Sequence, residues 1–318
     1  MGGLSNSIRF TVASVRLRTI GVLAMGMLIA LGATGQVLIA SADGRLKIPA
    51  YWFKVAVPEP RPVVIALHGC NGALDARGQL NSIWQRYAGY FNAERIHFVV
   101  VDSFSPRGEK SICATPNKNR SIHETDRRGD VFAAIGWLST QPGVDTARIL
   151  VLGWSHGAQS VLSVNDASDN VVQAQKIRPK AVAAFYPGCL NVTRNSGYAI
   201  AAPMLVMIGE LDDWTSARHC ADLRDAVLAR QAGSNQKVPF DLVVYADSYH
   251  GFDSLTPVRK MQNIGNTRSG TATVGENNVA RKAAHARLFE FVGQQFGEPL
   301  GLTHDDRLKS APSPLPPN

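Results

Sequence analysis

The chain is poor in cysteine, in acid near its N-terminus, and in long apolar runs beyond residue 39. Four cysteines, Cys70, Cys113, Cys189 and Cys220, are spread over 318 residues. None has C-x-x-C spacing, which argues against a zinc site. No block of lysine and arginine with interleaved aromatics occurs; Arg107, Arg127-Arg128 and Lys176, Arg178 and Lys180 are scattered. That argues against nucleic acid as a partner. No internal repeat is visible. What remains is a chain 45% apolar and 18% charged, ample for one large globular domain.

No acid precedes Asp43, and the first 42 residues hold three arginines, Arg9, Arg16 and Arg18. From Ile20 to Ile39 the chain is apolar or small, broken by Thr34 and Gln36, and Ala40-Ser41-Ala42 supplies an A-x-A pattern. Residues 1–42 are therefore expected to be a secretory signal peptide outside the fold, cleaved after Ala42. The alternative is a retained N-terminal anchor, because about 20 residues span a bilayer. Without those arginines the formal charge of +8 falls to about +5, a matter of solubility and mild attraction to anionic surfaces. Export places the protein in the periplasm or outside the cell, where an even cysteine count reads as disulfides. Three pairings are open. Cys70–Cys113 with Cys189–Cys220 is favoured because each bond would join loops after neighbouring strands; the alternative is free buried thiols.

Continuous apolar runs mark buried parallel strands at 63–68, 97–102, 148–153, 180–186, 203–209 and 240–245. Helical patterns over 123–141, 216–231 and 279–295 alternate with them. The expectation is an α/β domain spanning residues 43–300, with a mostly parallel sheet covered on both faces. Lys47 to Val57, with Pro49, reads as an edge strand. Residues 263–278 read as a surface loop and residues 301–318 as a disordered tail.

Gly153-Trp154-Ser155-His156-Gly157 fits G-x-S-x-G, with a strand before it and a helix after it, as that motif requires. The turn would lift Ser155 clear of the sheet as a nucleophile and aim the His156 N–H at an oxyanion. Asp212, in Gly209-Glu-Leu-Asp-Asp213, is the candidate acid, with Asp213 or Ser216 left to cap the next helix. His250, after the 240–245 strand, is the candidate base. The order Ser…Asp…His is typical of α/β-hydrolases. The second oxyanion donor is expected just after the 63–68 strand, with the Cys70 N–H preferred and Leu67 or His68 as alternatives; a Cys70–Cys113 bond would stiffen that turn. Trp154 and Tyr186 are candidate pocket residues, with ordinary packing as the alternative. The His156 ring is placed at the site mouth and His68 beneath the oxyanion turn. His97, His123, His219, His285 and His304 are read as structural or solvated. Arg107, Arg120, Glu124, Asp126, Arg127 and Asp130 read as a surface or helix-entry charge network, with a substrate-carboxylate clamp at Arg107 as the alternative.

The segments "LHGCNG", "GWSHGA", "FYPGC", "GELDDW" and "YHGFD" together resemble the dienelactone hydrolase family of α/β-hydrolases, and more narrowly an exported bacterial branch with serine at the elbow. The resemblance covers roughly residues 61–253. It implies Ser155, Asp212 and His250 as the catalytic triad and backbone oxyanion donors from His156 and the His68–Cys70 turn. Asp212 is preferred over Asp213 by the family's Gly-x-x-Asp pattern. The enzyme that names the family uses cysteine where this chain has Ser155, so its lactone substrate does not transfer with the name. The expectation is a carboxylic ester (or lactone) hydrolase acting through an acyl-enzyme, on a small-molecule ester, with no metal or organic cofactor and no stable membrane association after cleavage. A peptidase or acyltransferase using the same residues, and a noncatalytic binding protein on this fold, are the rivals.

Overall fold

The computed structural model describes residues 1–2, 34–233, 235 and 237–301. The arginines of the expected signal, His304 and the expected tail beyond Gly301 lie outside these residues. In chain order the elements are β1 Thr34–Ala40, β2 Lys47–Phe53, β3 Arg61–Leu67, α1 Ser82–Ala93, β4 His97–Val101, α2 Glu124–Leu138, β5 Val144–Trp154 and α3 His156–Val164. There follow α4 Asn170–Gln173, β6 Ala181–Phe185, α5 Leu190–Thr193, β7 Met204–Gly209, α6 Ala217–Gln231, β8 Phe240–Tyr245, β9 Arg259–Gln262, β10 Thr271–Val274 and α7 Asn278–Phe296.

The described residues form an eight-stranded sheet in the order β1-β2-β4-β3-β5-β6-β7-β8. β1 and β2 join antiparallel; β4, β3 and β5 through β8 run parallel to one another. This is an α/β-hydrolase fold. The central strands are fully covered: every residue of β4, β6 and β7 is buried, which is why they read as unbroken apolar runs rather than alternating ones. The chain steps one way from β3 to β4 and the other way from β4 to β5. Right-handed crossovers therefore put α1 on one face and α2, α3 and α6 on the other. α7 packs with α1, through Phe91 against Phe289 and Tyr87 against His285. In a parallel sheet so covered, all catalytic candidates at strand C-termini gather along one edge.

Three expectations are corrected. The domain does not begin after residue 42. β1 pairs along its whole length with β2, Ile39 is 2% exposed in the core, and Ser41, from the A-x-A pattern, turns the hairpin by accepting the Leu46 N–H at 2.9 Å. The apolar stretch that suggested a signal runs directly into this strand, so composition alone merges the two. β2 is accordingly not an edge. It tolerates Pro49 because its pairing with β4 starts at Ala50, so the missing N–H falls just past that ladder. Lastly, residues 263–278 are not simply a loop: β10 lies within them and pairs with β9 as a hairpin. Among the described residues no helix is long and apolar enough to cross a membrane.

Candidate active site

Ser155 stands between β5 and α3 with φ 53° and ψ −116°. A non-glycine residue in that region is strained, and the strain persists only where its surroundings enforce it. Here a Cβ added to Gly153 would lie 2.4 Å from the Gly157 carbonyl oxygen, and one on Gly157 would lie 2.2 Å from the Leu67 oxygen. Both glycines of the motif are required because strand, helix and the end of β3 meet at backbone contact. The Ser155 N–H is held by the Phe185 carbonyl at 2.9 Å.

The candidate acid and base, Asp212 and His250, lie on the loops after β7 and β8. His250 Nε2 is 3.0 Å from Ser155 Oγ, and His250 Nδ1 is 2.8 Å from Asp212 Oδ2. Asp212 is 5% and His250 4% exposed, which keeps this hydrogen-bonded chain largely out of water. Asp212 Oδ1 accepts the backbone N–H groups of Trp214 at 3.0 Å and Thr215 at 2.7 Å, so the carboxylate cannot rotate freely. Thr215 Oγ1 sits 2.9 Å from Asp212 Oδ2, 3.1 Å from His250 Nδ1 and 3.1 Å from the Tyr186 carbonyl. It has one proton to give, to Asp212 or Tyr186, and its lone pair faces the imidazole N–H. Trp214 lies over His250 with ring centroids 4.7 Å apart, and Tyr186 lies against it at 4.5 Å.

The proposed oxyanion segments also meet at Ser155. The His156 N–H opens α3, where the first N–H groups of a helix have no intrahelical acceptor. A Cβ on Gly69 would lie 3.4 Å from Ser155 Cβ, which sets the His68–Gly69–Cys70 turn beside Ser155. Cys70 is bonded to Cys113, and the Cys70 carbonyl accepts the Ile112 N–H at 2.9 Å. The second disulfide joins Cys189 to Cys220, tying the loop after β6 to α6. The structure thus contains the favoured pairing. Cys70, Cys113, Phe104, Ile112 and Ile122 form a small apolar cluster apart from the main core, with Trp214 packed against it.

Several side chains sit elsewhere than expected. The His156 ring is not at the mouth. It is 3% exposed, its Nδ1 accepts from Arg127 Nη1 at 2.9 Å, and burial with Arg127 alongside holds it well below the usual imidazole pKa. Trp154 and Tyr186 are both buried: Trp154 stacks on Phe185 at 5.4 Å and donates to Asp253, while Tyr186 lies against His250 at 4.5 Å and also donates to Asp253. Asp213 caps nothing; its carboxylate holds Thr273 of β10 at 2.7 and 2.9 Å, and the Ser216 side chain makes no capping bond. The presumed surface charges are partly core, with Arg127 0% and Asp130 2% exposed. Arg107 is not a free clamp, since its guanidinium grips Asp130 at 2.8 and 2.9 Å.

Two buried groups stand out, one not singled out in the sequence and one read there as surface charge. Asp253 is 0% exposed and accepts from Tyr87 Oη at 2.7 Å, Tyr186 Oη at 2.7 Å and Trp154 Nε1 at 2.9 Å. It therefore ties the residue before Ser155 and the ring beneath His250 to α1. The other is Arg127. Its only sequence signal is a charged residue on the inward stripe of α2, one turn before Val131. His68 is neutral beneath the turn, its pKa pushed well down by burial and by Arg127. His97 is likewise internal, bonding the Val55 N–H and the Gly143 carbonyl. Among the described residues no group of His, Cys, Asp and Glu converges as metal ligands would.

The sequence model of the dienelactone hydrolase family matches residues 48–296. Among solved structures, a dienelactone hydrolase-like promiscuous phosphotriesterase from metagenomic libraries superposes with TM-score 0.60 at 16% identity, covering 83% of this chain and 99% of its own. Thermogutta terrifontis esterase 2, phosphorylated by paraoxon, superposes with TM-score 0.56 at 16% identity, covering 82% and 94%. Porphyromonas gingivalis dipeptidyl peptidase 4 shares the fold with TM-score 0.55 at 19% identity, over 83% of this chain but 36% of the peptidase. No curated protein matches.

Proposed function

This chain belongs to the dienelactone hydrolase family, and from that premise we propose that it hydrolyses carboxylic esters through Ser155, His250 and Asp212. The observation that carries the reading is the unbroken chain Ser155 Oγ–His250–Asp212 at 3.0 and 2.8 Å, with the serine on a strained turn. His250 Nε2 takes the Ser155 proton as Oγ attacks the ester carbonyl. The N–H groups of His156 and Cys70 receive the negative oxygen. His250 then protonates the leaving alcohol, and water activated by the same imidazole clears the acyl-enzyme. Asp212 holds the Nδ1–H tautomer in place and stabilises the imidazolium.

The natural substrate class is a small ester or lactone. The test is hydrolysis of short p-nitrophenyl esters by the wild type and Ser155→Ala. Activity abolished by the substitution supports the enzyme reading; equal rates favour the noncatalytic rival and sink it. Because a protein of similar fold is phosphorylated by paraoxon, the same reagent should modify Ser155 alone, as read by peptide mass.

Export belongs to the same reading, supported by the basic and apolar N-terminal segment and by two disulfides. Cleavage after Ala42 would strip β1 from the sheet, so the mature N-terminus is placed at or before Thr34. N-terminal sequencing of the exported protein decides; a mature chain beginning at Asp43 would refute this placement.

A further inference from the structure

The segments assigned to oxyanion binding come from separate parts of the chain, one after β3 and one opening α3. A hole works only if its two N–H groups point at the same oxygen, so something must fix their relative position. Resting on the ester-hydrolase reading, we propose that Arg127 is that positioning residue, a single guanidinium that straps both halves of the oxyanion hole from beneath.

Arg127 lies on α2 and is 0% exposed. Its Nη1 donates to His156 Nδ1 at 2.9 Å, and its Nη2 donates to the His68 carbonyl at 2.7 Å. One bond therefore fixes the side chain of the residue carrying the first donor. The other fixes the backbone two residues before the second donor, Cys70. The strap continues through His68, whose Nδ1–H donates to the Gly69 carbonyl at 2.9 Å while its Nε2 accepts the Ser103 N–H at 3.3 Å. Phe104 fills the space between: the guanidinium lies over its ring at 5.1 Å, and the ring packs on His68 at 4.4 Å and His156 at 6.1 Å.

The chemistry of the residue supports the assignment. Both hydrogen-bond acceptors of the fork are neutral; Asp130, Glu124 and Asp102 nearby favour the charge, yet burial still pulls the guanidinium pKa down to about 10, so burying it remains costly compared with an apolar side chain of similar volume. Stability is thus a weak reason for an arginine here. What arginine supplies is a rigid planar fork whose two Nη atoms hold two acceptors at a fixed spacing, which the single ammonium of lysine does not. Oxyanion donors act on the transition state, and losing one lowers kcat by about 10²–10³-fold.

The experiment compares wild type, Ser155→Ala, Arg127→Met and Arg127→Lys in steady-state ester hydrolysis. Alongside, it measures inhibition by an aryl trifluoromethyl ketone, whose adduct with a serine carries the oxyanion, and by a non-reactive substrate analogue. Both Arg127 variants should lose about 10²-fold in kcat with KM within about threefold. Trifluoromethyl ketone affinity should fall in parallel and the analogue's affinity should hold. If Arg127→Met does not fold, as judged by circular dichroism, His156→Leu removes the Nη1 acceptor, leaves the Nη2 bond to the His68 carbonyl, and should give the same kcat-specific loss. A folded Arg127 variant with unchanged kcat overturns the proposal while leaving the ester-hydrolase reading intact. So does one that loses both inhibitors equally, because that is general loosening. Wild-type activity no higher than that of Ser155→Ala overturns the reading and the proposal together.

Discussion

Replacing Asp212 by asparagine separates orientation of the base from integrity of the loop. Asp212 Oδ1 accepts two backbone N–H groups, and Oδ2 faces the His250 Nδ1–H. An asparagine must keep its oxygen toward Trp214 and Thr215, because the reverse orientation sets its NH2 against two donors at 3.0 and 2.7 Å. Its NH2 then faces His250, which can accept only by moving its proton to Nε2. That places an N–H against Ser155 Oγ, where a lone pair is needed to take the proton. A wrong tautomer at an intact triad lowers kcat by about 10⁴-fold, or about 5.4 kcal/mol at 1.36 kcal/mol per decade. Because both backbone bonds survive, Tm should hold. Asp212→Ala should lose rate and also about 1–3 kcal/mol of stability for each orphaned buried donor. The assay is kcat for p-nitrophenyl acetate together with thermal melts of all three proteins. An Asp212→Asn enzyme keeping more than a tenth of wild-type kcat would refute the reasoning.

Asp253→Ala should leave Tyr186 Oη and Trp154 Nε1 without this acceptor, while Tyr87 Oη keeps His285 Nε2 at 3.1 Å, and lower stability by about 3–5 kcal/mol, as in breaking a buried charged network; urea melts check it, and a loss under 1 kcal/mol counts against the network. Removing the 31-residue-separated Cys189–Cys220 bond by double serine substitution should lower stability by about 3–4 kcal/mol, seen as a shifted urea midpoint. The pKa values of His68 and His156 are both held well below the ordinary value of 6.5. The unfolded chain therefore binds protons that the folded one refuses. Stability should be fully present above about pH 6.5 and fall on acidification by up to about 1.4 kcal/mol per pH unit for each ring. Melts between pH 7 and 5 that show no such fall would contradict neutral buried imidazoles.

The loops carrying Ser155, Asp212 and His250 were legible because buried parallel strands write unbroken apolar runs, and the loop after each run opens at the C-terminal end of the sheet. β1 was not legible, since its apolar residues continue a longer apolar stretch and leave no alternation to detect. Asp253 and Arg127 were hidden for another reason. Their partners, Tyr87, Trp154 and Tyr186 in one case and His68 and His156 in the other, are distant in sequence, and a charged residue looks solvated until the fold closes over it. The β9–β10 hairpin is polar and rich in glycine and threonine, and what fixes it is contact with the site loops rather than its own core.

That hairpin has a consequence for how the protein can change. Val274 bridges to His250, Thr273 is held by Asp213, and the Gly265 N–H donates to the Cys113 carbonyl. One small appendage thus grips the loops that carry Asp212, His250 and Cys113, yet its strands belong to a sheet separate from the eight-stranded one. The floor of the site and its rim are therefore built from different parts. Changes within residues 259–274 should therefore be felt first in the loops that carry Asp213, His250 and Cys113, while the strand ends that hold Ser155, Asp212 and His250 stay as they are.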